Sequence, residues 1–259
     1  YVASQNNVID FANTYIGMGW IIVASLFTIN FATMATGTLT FGLFVLPMSI
    51  SLHMSRGFMG WAQTARMLSG GASSYLIGKV LDRHGARLLI SIAAVLTFVC
   101  MVGLSLVRHP WQFLLFFSMM GLMGFGAPGD LLTSVPISKW FIQRRGTALA
   151  ISTMGLGIGG IAFMPVTQFM IHEFGWRNTW LILGILSGSV IVPVAIIFLR
   201  RQPEDIGLLP YGINTDIHRH DESPTIQGER TWTASEALHT KAFWQLTLFF
   251  GILGFCSGS

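Results

Sequence analysis

The amino-acid sequence predicts an all-α membrane protein, with a bundle of six transmembrane helices followed by the start of a seventh. Composition is the first indication: only 10% of the 259 residues are charged, against about 25% in soluble domains, and 52% are hydrophobic. Spacing is the second, because apolar runs of about 20 residues, the length that a helix needs to cross a bilayer, recur along the chain. Charge is the third, because the basic residues concentrate in the short loops between the runs.

The first three spans are defined by two turns and a charged loop. A polar tail without Lys or Arg precedes the first span, which ends before Pro47. In the second span the apolar run 57–77 carries a single charge, Arg66, and the third span carries none before the Arg108-His109-Pro110 turn. We therefore expect an N-terminal tail at 1–17 and spans at 18–46, 57–80 and 88–107.

The next spans follow the same logic. The fourth is interrupted by several Gly and Pro residues and ends at a basic loop, Ser138 to Arg145. The short segment from His172 to Arg177 separates the fifth span from the sixth. We therefore expect spans at 111–135, 146–170 and 179–199, which complete a bundle at 18–199, then a cytoplasmic central loop at 200–241 and the start of helix 7 at 242–259. Since the chain begins at Tyr1 and its last apolar run is short, we expect a fragment truncated inside helix 7.

Basic residues predict the orientation of the bundle. With the spans above, the loops on one side carry eleven Lys and Arg residues and those on the other side carry three. Basic loops stay in the cytoplasm, which places the N-terminus there. We expect a multi-pass protein of the plasma (inner) membrane, with the lipid bilayer as its surroundings.

The loop between the second and third spans carries a specific pattern. Its residues follow the spacing Gly-x-x-x-Asp-Arg-x-Gly-x-Arg, made by Gly78, Asp82, Arg83, Gly85 and Arg87. This resembles the signature loop of the major facilitator superfamily of secondary transporters, which lies at the same place in the fold. The resemblance implies that the loop latches the inward side of the bundle and tunes a conformational switch without touching substrate. The simpler alternative is an ordinary cytoplasmic loop, which is commonly basic and glycine-rich.

An internal repeat supports the same fold. Sliding the chain by 89 to 90 residues places Gly70-Gly71 on Gly159-Gly160, and the Gly85 loop on the Gly175 loop. Three helices per copy is an odd number, so the copies must lie upside down relative to each other. Inverted three-helix repeats build each six-helix half of a major facilitator fold. The paired glycines suit close helix packing.

Three stretches indicate a branch of the superfamily. They are 140–148, 201–210 and 236–244, and they resemble the oxalate:formate antiporters and monocarboxylate transporters. The resemblance implies twelve helices in the whole protein and transport of a small organic anion by alternating access. Protons or a counter-anion are the implied coupling partners, and the missing C-terminal half would help to hold the substrate. The first span lacks the Lys that monocarboxylate members often carry there.

Three polar residues inside the spans are candidates for substrate binding or gating: Arg66, Asp130 and Asn30. A buried Arg costs about 2.5–3.5 kcal/mol at the centre of a membrane helix, so it must face a partner or a water-filled cavity. Its planar fork matches a carboxylate, although a structural ion pair would explain it as well. Asp130 lies in the broken fourth span, where it could bind a proton or pair with a basic residue. Asn30 lies near the middle of the first span.

Other functions have less support in the sequence. The spans contain no catalytic nucleophile with a base and no metal-ligand cluster, and we predict neither a cofactor nor a nucleic-acid partner. A carrier of the same fold for nitrate, a sugar or a drug remains an alternative. A complete membrane enzyme or receptor with six or seven helices is the alternative from another class.

Overall fold

A computed structural model of the chain describes residues 19–36, 38–122, 131–141, 144–199, 236 and 239–257. The regular secondary structure within these ranges is entirely helical, with no strand. The chain divides into two compact units, Tyr1–Ile213 and Asn214–Ser259. The predicted tail at 1–17 and most of the predicted central loop lie outside the described residues.

Eight helices are described, seven in the first unit and one in the second. They are α1 (19–33), α2 (Thr38–Ser51), α3 (Arg56–His84), α4 (Ala86–Ser105), α5 (Pro110–Leu122), α6 (Leu131–Trp140), α7 (Arg145–Phe198) and, in the second unit, α8 (Lys241–Ser257). Helix α7 has two limbs, 145–174 and 176–198, which meet at the non-helical residue Gly175. The predicted spans one to six correspond in order to α1 with α2, α3, α4, α5 with α6, and the two limbs of α7.

The first span is broken in its middle and is longer than its predicted range. A 3₁₀ turn, Met34–Thr36, separates α1 from α2. The sequence predicted an end before Pro47, but α2 continues through this proline to Ser51. Proline costs a helix one hydrogen bond, and here the apolar packing of the next turn outweighs that loss, since Met48 is fully buried.

The helices on either side of each repeated loop are joined by a single glycine. Gly85 separates α3 from α4 with φ 79° and ψ 166°, and Gly175 separates the limbs of α7 with φ 76° and ψ 161°. The two glycines are 90 residues apart, as the internal repeat requires. Only glycine adopts this region of backbone conformation readily. Both loops are therefore shorter than predicted, because one glycine is enough to reverse the chain.

Glycines also set the close crossings between helices. A Cβ atom at Gly70 of α3 would lie 3.2 Å from the Gly121 carbonyl oxygen of α5. A Cβ atom at Gly159 of α7 would lie 2.7 Å from the Phe31 carbonyl oxygen of α1. The repeat exchanges these two contacts, because it carries Gly70 onto Gly159 and the first span onto the fourth.

The interior has two apolar clusters with a polar layer between them. One cluster includes Leu26, Ile90 and Ala195, and the other includes Phe44, Leu104 and Trp180. Buried polar residues lie at or near the boundary between the clusters: Asn30 and Thr33 of α1, Thr36 of the 3₁₀ turn, Arg66 of α3, Thr97 of α4, and Ser152 and Ser187 of α7. The polar layer therefore lies near the middle of the bundle.

Three helical segments of the described chain are long and apolar enough to cross a membrane: Gly19–Ser51, Ala86–Ser105 and Arg145–Phe198. The last has 54 residues, about 80 Å of helix, and the reversal at Gly175 divides it into two crossings. Helix α3 has 29 residues but is not among these segments. Its Arg66, Gln63 and many small residues lower its hydropathy.

We predict that Gly175→Ala destabilises the protein by about 1–3 kcal/mol, the range for a non-glycine residue in such a conformation. Nothing lies within 4 Å of the new methyl group, so the cost comes from the backbone alone. The measurement is thermal unfolding of the purified protein in detergent.

Gly157→Ala is the matched control, since it lies inside a limb of the same helix and its methyl group also meets open space. Alanine is favoured over glycine inside a helix, so this variant should be as stable as the wild type or more stable. Equal stability of the two variants would contradict the strained backbone at Gly175.

Candidate functional site

Arg66 lies in the polar layer, where α3 passes the break in the first span. The residue is 6% exposed. The guanidinium Nη1 donates a hydrogen bond to the Thr36 carbonyl oxygen at 3.4 Å. Its Cζ atom lies 5.8 Å from the centre of the Phe117 ring of α5, within range of a cation–π contact. The positive charge is thus held between a backbone carbonyl and an aromatic face.

The break in the first span supplies the carbonyl groups that this site uses. In an unbroken helix each of these groups would accept from an amide four residues on, and a membrane interior offers no water to replace that bond. The Thr40 hydroxyl donates to the carbonyl oxygens of Met34 and Ala35 at 3.3 and 3.4 Å. Arg66 donates to the carbonyl of Thr36. Side chains from α2 and α3 therefore stabilise the broken helix.

A close crossing with α5 fixes the position of Arg66. A Cβ atom at Gly121 would collide with the Arg66 carbonyl oxygen and with Ser69 Oγ. Ser69 Oγ also lies 2.9 Å from the carbonyl oxygens of both Arg66 and Ser118. Contact between the two helix backbones leaves little freedom to the turn of α3 that carries Arg66.

Asn30 joins α1 to the first limb of α7. Its Nδ2 donates to the Ser152 carbonyl oxygen of α7 at 2.8 Å, and its side chain is buried. Gly155 makes this contact possible, because a Cβ atom there would collide with the Phe27 carbonyl oxygen and lie 3.2 Å from Asn30 Cβ. Asn30 therefore links α1 to α7, one to two turns before the helix break.

Of the other residues predicted from the sequence, some lie at helix crossings and others do not. Gly70 and Gly159 lie at helix crossings, Gly160 is buried, and Gly71 has nothing within 4 Å of a Cβ position. In the predicted switch loop, Gly85 has the positive φ described above. A Cβ atom at Gly78 would meet open space, and Arg87 is partly buried. Asp130 and the side chains of Asp82 and Arg83 lie outside the described residues.

Sequence reasoning missed several residues of the site. Thr36, Phe117 and Gly121 are adjacent to Arg66 in space, yet no motif distinguishes them. One signal was present, since Thr33, Thr36, Thr38 and Thr40 make the middle of the first span unusually rich in threonine. The described residues also contain no group of three His, Cys, Asp or Glu side chains placed to hold a metal ion.

Comparison with known protein families gives a match to the Major Facilitator Superfamily over residues 26–259. The chain belongs to this superfamily. The match confirms the predicted all-α fold and an integral, multi-pass membrane protein. It also favours a transporter over the membrane enzyme or receptor that the sequence left open.

Several curated transporters are similar to this chain over part of their length. The uncharacterized MFS-type transporter YcxA of Bacillus subtilis is 27% identical over 187 residues, which cover 72% of this chain and 45% of that protein. Monocarboxylate transporter 12-B of Danio rerio is 24% identical over 236 residues, which cover 88% of this chain and 47% of that protein. Monocarboxylate transporter 11 of Mus musculus is 26% identical over 191 residues, covering 70% of this chain and 41% of that protein. The chain thus spans less than half the length of these curated relatives, and the branch predicted from the sequence agrees with two of the three names.

We predict that Gly121→Ala separates α3 from α5 and lowers stability by about 1–3 kcal/mol, the usual cost of overpacking. The new methyl group has no room beside the Arg66 carbonyl, so the turn that carries Arg66 must move. Thermal unfolding in detergent measures the loss.

Gly71→Ala is the control, because it lies on α3 one residue after a crossing glycine and faces open space. It should leave stability unchanged or slightly higher. A Gly121→Ala variant as stable as Gly71→Ala would show that the crossing does not restrain α3.

Proposed function

We propose that this superfamily member is part of a secondary transporter of small organic anions, with Arg66 as a binding residue for the substrate carboxylate. The observation that carries the proposal is the buried guanidinium in the polar layer. An arginine fork pairs with a carboxylate through two parallel hydrogen bonds, and such charge-assisted bonds strengthen away from water. The monocarboxylate transporters among the similar proteins support this class of substrate.

The position of Arg66 suits a carrier that opens to each side in turn. Intramembrane charges commonly mark the pathway of a substrate or ion, and transporter sites lie near the bilayer midplane beside broken helices. Arg66 lies beside such a break, in the layer between the two apolar clusters. A substrate carboxylate that displaced the 3.4 Å contact with Thr36 would free that carbonyl group and so couple binding to the first span.

Asn30 and Asp130 complete the proposed set. Asn30 already donates to the Ser152 carbonyl at 2.8 Å, so its role is to position α1 against α7. Asp130 is proposed to take part in coupling, either by binding a proton or by pairing with a basic group. The loop around Gly85 is proposed to control the switch between open states.

Transport of labelled oxalate, formate and lactate into proteoliposomes tests the function. We expect saturable uptake by the full-length protein, and a loss of at least about tenfold for Arg66→Gln, because hydrogen bonds to charged groups contribute about 1.5–3 kcal/mol. Gradients of pH and preloaded counter-anions, compared in the same vesicles, distinguish proton coupling from exchange.

Arg56→Gln is the control for this measurement, since Arg56 is an exposed arginine at the start of the same helix. It should transport as the wild type does. Unchanged uptake by a folded Arg66→Gln protein would make Arg66 a structural residue, and no carboxylate uptake by the wild type would overturn the proposed substrate class.

We also propose that the Gly85 loop and the N-terminus face the cytoplasm, so that the Gly175 loop faces outward. Lys79 is exposed shortly before the Gly85 loop. The His172 side chain, shortly before the Gly175 loop, is 81% exposed. In intact cells a membrane-impermeant maleimide should label His172→Cys, and should label Lys79→Cys only after the membrane is permeabilised.

The background for this labelling carries Cys256→Ser, while Cys100 is buried and remains. Protein with neither introduced cysteine serves as the blank. Labelling of Lys79→Cys alone in intact cells would reverse the proposed orientation.

A further inference from the structure

A second polar site lies beside the helix break, and Thr36 is part of its lining. It is a small pocket between α1, α4 and the second limb of α7, with room for about one water molecule. Its polar lining consists of four hydroxyl side chains, those of Thr33, Thr36, Thr97 and Ser187, and each is at most 6% exposed. The pocket is therefore a buried polar site inside the bundle.

Three of the four hydroxyl groups have already donated their hydrogen atom. Thr33 Oγ1 donates to the Ile29 carbonyl at 2.7 Å, and Thr36 Oγ1 donates to the Thr33 carbonyl at 3.0 Å. Ser187 Oγ donates to the Gly184 carbonyl at 3.2 Å. Only the lone pairs of these oxygens remain available, so the oxygens act as hydrogen-bond acceptors in the pocket.

The fourth hydroxyl group lacks a protein partner. Thr97 Oγ1 is buried and makes no hydrogen bond with any residue that the structure describes. A buried polar group without a partner is destabilising, and such groups in native proteins are commonly satisfied by ordered water. An acceptor-lined pocket of this size beside an unsatisfied hydroxyl group suits one small hydrogen-bond donor.

We propose that this pocket binds one structural water molecule, which donates its two hydrogens to two of the three threonine and serine oxygens and accepts from Thr97. A monovalent cation would also suit oxygen ligands, but all the hydroxyls here are neutral. The guanidinium of Arg66 also bonds to the carbonyl of Thr36 on the pocket wall, so its charge would repel a cation. Water meets the same oxygens without that repulsion.

The proposed water would connect the two repeats to the broken helix. Thr97 and Ser187 are 90 residues apart, so they occupy equivalent positions in α4 and in the second limb of α7. Thr33 and Thr36 lie at the end of α1 and in the 3₁₀ turn that follows it. The water would thereby help to fix the position of the helix break, whose Thr36 carbonyl accepts from Arg66. This role is independent of the transported solute.

The sign of a stability change tests the proposal. Thr97→Val keeps the shape and removes the hydroxyl group. With a bound water, valine removes one of its partners, so the melting temperature of the full chain in detergent should fall by about 2–4 °C. In a dry pocket, valine removes an unsatisfied polar group, so the melting temperature should rise.

Thr167→Val is the matched control, because Thr167 Oγ1 is also buried without a partner among the described residues but does not line this pocket. It should be neutral or stabilising. Thr97→Ser, which keeps the hydroxyl group, should melt close to the wild type. A rise for Thr97→Val, or an equal fall for both valine variants, would overturn the proposal.

Two further measurements apply to the wild-type protein alone, and so do not depend on how the variants fold. An experimental structure should show solvent density within about 3.2 Å of Thr97 Oγ1, and apolar contacts there instead would overturn the proposal. Replacing sodium chloride by choline chloride should leave the melting temperature unchanged. A stabilisation specific to sodium or potassium would assign the pocket to a cation.

Discussion

The need to satisfy backbone groups inside a bilayer governs this bundle. A helix that breaks in hydrocarbon exposes carbonyl groups that water cannot reach, and each unsatisfied group costs several kcal/mol. Here the first span breaks at Met34–Thr36, and the side chains of Thr40 and Arg66 donate to the carbonyls at the break. The polar layer is where a charged side chain and a broken helix stabilise each other.

Glycine makes this arrangement possible in two ways. At Gly121, Gly155 and Gly159 the absence of a side chain lets helix backbones touch, which holds Arg66 and Asn30 in place. At Gly85 and Gly175 a backbone conformation that other residues adopt poorly reverses the chain within one residue. The inverted repeat depends on both, since equivalent positions in the two copies carry equivalent contacts.

Much of the fold could be predicted because it rests on local composition. Apolar runs and basic loops predicted the order of the helices, and the 90-residue repeat predicted that Gly85 and Gly175 are equivalent. The site could be predicted only in part: Arg66 was identified as a buried charge, but its neighbours depend on the rotation of α3. Nothing local predicts that Phe117 and Thr36 flank its guanidinium, or that α2 continues through Pro47.

Binding measured without transport tests the central role of Arg66 most directly. Isothermal titration of the purified full-length protein would compare lactate with its uncharged amide, in the wild type and in Arg66→Gln. The account predicts that the wild type prefers the carboxylate and that this preference disappears in the variant while the fold is retained. Equal discrimination by both proteins would contradict it, and would leave the guanidinium as a structural support of the broken helix.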